Sequence, residues 1–133
     1  VILLDTHTLI WLDSGDKKLG AQTRRRIDNA LQEEELAVSA ISFWEVAMLV
    51  DRGRIELSLP TLLWRRDLLS AGLVEIPVSG EIGIAAATLE SFHGDPADRV
   101  ITATAILREA QLFTADDKIL RWSGQVERHD ARR

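Results

Sequence analysis

The chain has 133 residues, 46% hydrophobic and 28% charged, with 21 acidic against 16 basic residues for a formal net charge of −5. That length suits one domain with a buried core, read over residues 1–133, and the balance of residue types excludes intrinsic disorder. No cysteine is present, which removes thiolate catalysis, zinc ribbons and disulfide scaffolds, and is compatible with a reducing cytoplasm as the expected location.

Val1–Leu4 is a short apolar run ended by Asp5, the pattern of a buried parallel strand rather than of a signal peptide, since basic flank and cleavage pattern are missing. Thr6–Asp13 has helical spacing and stops near Ser14-Gly15. Gln22–Glu34 reads as an amphipathic helix. Leu36–Ser39 is a second strand, followed by a helix over Ile41–Val50. Ile55–Leu59 is either a short strand or an extended connection. Pro60–Ala71 is a helix with proline in its first turn, and Val74–Val78 a third strand. Helices follow over Glu81–Phe92 and from Asp95 to Ala110, with Pro96 at the first helical position of the second. Gln111–Thr114 is a strand, Asp116–Trp122 a short helix and Gln125–Arg128 an edge strand. No repeat or linker interrupts the order, and no window nears about 18 uninterrupted apolar residues. Strands alternating with helices imply a largely parallel sheet covered on both faces, with a crevice outside the carboxyl ends of its strands.

Acidic residues gather where that crevice should lie. Asp5 ends the first strand, Asp116 and Asp117 follow the strand at 111–114, and Glu45 and Asp98 lie early in their helices. Each has an ordinary structural reading. Ser42-Phe43-Trp44-Glu45 fits a capping box, Asp95-Pro96-Ala97-Asp98 resembles one, and Asp5 and Asp116 are natural N-caps. Together they read differently. Two carboxylates about 5 Å apart repel by about 3 kcal/mol at an effective dielectric of 20, so a cluster either takes up protons or holds a cation. Carboxylates without histidine or cysteine suit a hard, oxygen-seeking ion such as Mg²⁺ or Mn²⁺, and such ions activate water for phosphodiester hydrolysis. The net acidity argues against gripping nucleic acid by bulk charge alone.

Leu3-Leu4-Asp5-Thr6-His7, Ser39–Glu45, Gly94-Asp95-Pro96-Ala97-Asp98-Arg99 and Phe113-Thr114-Ala115-Asp116 together resemble the four acidic motifs of PIN-domain ribonucleases, most closely the VapC toxins of type II toxin–antitoxin systems. The resemblance implies a PIN-like three-layer α/β/α sandwich with a central, mainly parallel sheet of four to five short strands. It also implies endonucleolytic RNA cleavage with one or two Mg²⁺ or Mn²⁺ ions, in-line attack by water leaving a 5′-phosphate, homodimerisation, and inhibition by a VapB-type antitoxin. Carried over by position, Asp5, Glu45, Asp98 and Asp116 form the acidic site, with Asp5 and Asp98 as foremost metal ligands. The Thr-x-Asp spacing favours Asp116 over Asp117, which is expected to be a solvated first-turn acid.

Around that site, Thr114 is either a β-branched strand residue or a hydrogen-bond partner of a carboxylate or the attacking water. Arg99 is expected to contact RNA phosphate or balance the acids locally, because arginine in a first helical turn is otherwise unfavourable. His7 lies close to Asp5, but one histidine does not make a zinc site. His93 reads as a helix C-terminal residue. Trp44 is expected in the core and Trp11 and Trp64 at an interface; Arg24–Arg26, Arg52, Arg54 and Arg65-Arg66 offer a phosphate-steering rim or a solvated face. Two rivals remain. A phosphoaspartyl enzyme would want a second aspartate where His7 stands; a catalytically silent PIN-fold interaction module would not need all four acids.

Overall fold

The computed structural model describes residues 1–133. The elements in chain order are β1 (Ile2–Leu4), α1 (Thr6–Ser14), α2 (Ala21–Gln32), β2 (Leu36–Ser39), α3 (Ala40–Asp51), α4 (Thr61–Ser70), β3 (Val74–Ile76), α5 (Gly80–Ala87), α6 (Pro96–Arg108), β4 (Gln111–Thr114), α7 (Asp117–Leu120) and β5 (Arg128–Asp130). The five strands form one sheet in the order β3-β2-β1-β4-β5. Every pairing is parallel.

Alternation along the strands builds a three-layer sandwich. Leu4, Val38 and Phe113 point to one face and pack with Leu9 of α1, Ile27 of α2, Phe43 and Val46 of α3 and Trp64 of α4. Their neighbours Leu3, Ala37 and Leu112 point to the other face, against Ile82 of α5, Ile101 of α6 and Ile119 of α7. Both faces are apolar, which is why the strands read as continuous hydrophobic runs.

The strand order reverses direction between β1 and β4, so the crevice at the carboxyl edge opens there. α6 precedes β4 and runs back along the sheet, which places its first turn at that same edge. This settles the position of Asp98, which spacing alone left undecided.

Several boundaries differ from expectation. α5 ends at Ala87 instead of Phe92: the Thr88 hydroxyl donates to the Ile84 and Ala85 carbonyls, and Ser91 takes a positive φ of 57°. The reversal into α6 is then held by Arg99, which donates to the carbonyls of Ala86, Phe92 and His93. The last strand begins at Arg128, not Gln125. The Arg128 guanidinium donates to the carbonyls of Ile119, Trp122 and Gly124, locking the preceding segment as a turn. Ile55–Leu59 is a connection, and Pro60 caps α4 from just outside it.

Candidate active site

Asp5, Glu45, Asp98 and Asp116 line one cleft of about 340 Å³, together with His7, Trp11, Asp95 and Ala115. No lysine or arginine is among the lining residues.

Asp5 is the N-cap of α1 and is buried, 5% exposed. One carboxylate oxygen accepts from the Thr8 amide at 2.9 Å, and the other accepts from the Thr114 hydroxyl. Thr114 Oγ1 in turn accepts from the Asp116 amide at 3.0 Å, so one threonine ties the ends of β1 and β4 together. Of the two readings open for Thr114, its hydroxyl does donate to a carboxylate, that of Asp5. Asp116 caps α7, its carboxylate accepting from the Lys118 amide.

Glu45 arrives by a different route. The expected capping box at Ser42 does not form, because α3 starts at Ala40 with Ser39 as its N-cap. Ser42 lies inside the helix and accepts a hydrogen bond from Thr6 Oγ1 at 2.9 Å, pinning α3 against the start of α1. Glu45, one turn on, then faces the cleft, and its Oε1 is buried with no hydrogen-bond partner.

Asp98 sits in the first turn of α6, where its amide donates to the N-cap Asp95. Its carboxylate does not return the bond; Oδ2 lies 2.8 Å from His93 Nε2. The reading of His93 as a dipole-favoured helix end is thus corrected: α5 stops well before it, and its ring folds back onto the first turn of α6. The cue available in the sequence was a histidine two residues before the aspartate that precedes proline.

Burial pushes the carboxyl groups of Asp5 and Glu45 above the ordinary acid range. Asp98 rises to about 6, chiefly through burial and partly offset by the His93 hydrogen bond, with Asp95, Asp116 and Asp5 adding repulsion. Burial is thus the leading cause at all three, with like-charge repulsion adding at Glu45 and Asp98.

Several neighbours differ from expectation. Arg99 pairs with none of the acids; its guanidinium donates to three backbone carbonyls and so holds the loop that carries His93. Trp64 is buried and donates to Asp13, whereas Trp44 is 49% exposed. Phe43 and Trp44 are adjacent on α3 and cannot both face the core; Phe43 does, edge-to-face with Trp64 at 5.9 Å. None of the arginines lines the cleft. Arg26 bonds Gln111 at the amino end of β4, and Arg65 bonds Glu75 at 2.7 Å.

A parallel five-stranded sandwich with four acids at the β1/β4 switch is the architecture that the four motifs anticipate, and a family model described as PIN domain matches residues 2–124. The chain belongs to the PIN-domain family. Within it, the chain is 36% identical over 119 residues to Ribonuclease VapC22 of Mycobacterium tuberculosis (strain ATCC 25618 / H37Rv), covering 89% of this chain and 88% of that relative. Among solved structures, a toxin-antitoxin complex from Klebsiella pneumoniae is similar at 24% identity, TM-score 0.61 and 92% coverage of both chains. VapBC2 from Rickettsia felis bound to a promoter DNA fragment shares 16% identity with TM-score 0.69, covering 97% of this chain and 98% of that one. FitAcB from Neisseria gonorrhoeae shares 18% identity with TM-score 0.65 and 98% coverage of both. At these identities the solved structures speak to the fold alone. No helix is long and apolar enough to cross a membrane.

Proposed function

We propose that this protein is a metal-dependent endoribonuclease of the VapC kind, the toxin half of a toxin–antitoxin pair, acting on RNA phosphodiester bonds. Similarity to Ribonuclease VapC22 supports the reaction class, the similar solved complexes support a VapB-type antitoxin as partner, and a homodimer is part of the same proposal. The observation that carries the reading is the uncompensated acid cleft. Asp5, Glu45, Asp98 and Asp116 line one cleft with no lysine or arginine among its residues, and a buried oxygen of Glu45 has no partner.

That donor set fits Mg²⁺ or Mn²⁺, because oxygen-rich sites suit hard ions and an unpaired buried carboxylate oxygen is costly unless a cation meets it. Asp5 and Asp98 are the foremost ligands, with Glu45 and Asp116 completing the set. A bound ion lowers the pKa of water and stabilises charge on a phosphoryl oxygen. The chain's own residues orient and exclude. Thr114 holds the Asp5 carboxylate toward the cleft, the Thr6–Ser42 bond sets the rotation of α3 that aims Glu45, and the Asp95 cap fixes the start of α6 under Asp98.

The test is cleavage of single-stranded RNA or tRNA by the purified, antitoxin-free chain with Mg²⁺ or Mn²⁺. Cleavage abolished by EDTA and by Asp5→Asn is the expected result. A chain that cleaves no RNA across both metals would instead be an interaction module on the same fold.

A further inference from the structure

The acid motifs account for four carboxylates but not for the imidazole beside them. His93 Nε2 lies 2.8 Å from Asp98 Oδ2. Donor atoms of His93, Asp98 and Asp116 all fall within 4.8 Å of one another. Neighbouring ligands on a single ion, with bonds of about 2.1 Å, stand about 3 Å apart, so the His93–Asp98 separation suits two groups sharing one ion as well as a hydrogen bond.

The ring is also held in place. It stacks on Phe92 with centroids 4.4 Å apart and planes 22° apart, and Phe92 is buried edge-on against Trp122. The His93 carbonyl accepts from Arg99 Nε at 2.9 Å, fixing the backbone from which the ring projects. Only a fifth of the side chain is exposed. A histidine immobilised by stacking and by a backbone clamp is pre-organised toward the carboxylates, as a site residue must be.

We infer that His93 is a nitrogen ligand of the same metal site, beside Asp98 and Asp116, and that it tilts the site toward Mn²⁺ over Mg²⁺. The inference rests on the metal-dependent reading above and specifies the ion that reading takes. All-oxygen donor sets suit Mg²⁺, whereas an imidazole nitrogen favours transition ions. Ligation uses the neutral ring with its proton on Nδ1, leaving Nε2 free to donate its lone pair. The competing arrangement has His93 donating Nε2–H to Asp98 and orienting that carboxylate from behind. The two differ in whether nitrogen touches the ion.

Pulsed electron paramagnetic resonance of Mn²⁺ bound to the purified chain reads that difference. Directly bound imidazole gives ¹⁴N coupling in the wild type, lost in His93→Gln and retained in His7→Gln, which removes the histidine that lines the cleft. In parallel titrations, His93→Gln is expected to weaken Mn²⁺ about 10-fold or more and Mg²⁺ by less than about 3-fold. Bound Mn²⁺ with no nitrogen coupling in the wild type overturns the His93 assignment while leaving metal-dependent cleavage intact; this arm needs no variant to fold. Coupling that survives in His93→Gln overturns it equally. If no Mn²⁺ binds, His93 and the metal reading fall together.

Discussion

Two acidic clusters at the carboxyl edge of the sheet have opposite electrostatics. In the cleft, Asp5, Glu45, Asp98 and Asp116 meet no lysine or arginine, and burial drives three of the four carboxyl groups toward the protonated form. Beside β5, Asp117 and Asp130 share Arg132, whose guanidinium lies 2.8 Å from a carboxylate oxygen of each. There the Asp130 carboxyl is held below its ordinary range, first by the Arg132 hydrogen bond. Asp116 and Asp117 are consecutive, yet each belongs to a different cluster. An acid group that carries its own cation is a structural device. One that withholds a cation is left with a charge that protons or a bound cation must balance.

The largest separation between the clusters should be in activity. Asp98→Asn is expected to lower RNA cleavage by more than about 100-fold, beyond the 10–100-fold typical of groups behind a metal ligand, while Asp117→Asn stays within about 3-fold of wild type. Initial rates on one RNA at saturating metal measure both. Equal losses would erase the distinction between the clusters.

Divalent metal should separate them next. At 100 times its dissociation constant, Mn²⁺ is expected to stabilise the wild type by about 2.7 kcal/mol, and Asp5→Asn or Asp98→Asn by much less. Arg132→Ala should leave that metal-induced rise in Tm unchanged. Differential scanning fluorimetry with and without EDTA reads the contrast.

The smallest effects concern the metal-free protein and pH. Asp98, raised from 3.8 to about 6, binds its proton more tightly in the folded than in the unfolded chain. The stability it contributes is full below about pH 4 and lost as pH rises through about 6. Asp5 and Glu45 act in the same direction. Asp130 has the opposite sign, its contribution present above the ordinary carboxylate range and lost as pH falls through its lowered value. In EDTA at pH 7, Asp98→Asn should therefore raise stability by about 1 kcal/mol, allowing for solvent screening, whereas Asp130→Asn should lower Tm slightly. A melt series from pH 4 to 8 checks both signs, and a destabilised Asp98→Asn would mean that Asp98 chiefly secures its helix.

Much of this was legible before any coordinates. The strands β1, β2 and β4 read correctly because both faces are buried, so each is a short apolar run stopped by a polar residue. The acids stood out because strand-to-helix junctions are where a parallel sheet presents side chains to its crevice. The distal boundaries were less legible. Where α5 ends and β5 begins depends on Arg99 and Arg128 reaching backbone carbonyls, contacts that leave no trace in local periodicity. The exchange of Trp44 and Trp64 had the same origin, since two adjacent aromatic residues on α3 gave no sign of which would face Phe113 and Leu4.

The amino-acid order alone therefore determined the layered α/β architecture and singled out four carboxylates as candidates, because hydrophobic period and residue type are local properties. Tertiary structure decided that Asp98 faces Asp5, that Glu45 keeps an unpartnered oxygen, that Arg99 clamps a loop and that His93 joins the acids. Those outcomes depend on the strand order and on the direction in which α6 returns along the sheet. Both are properties of the packed chain as a whole, fixed only when distant segments meet.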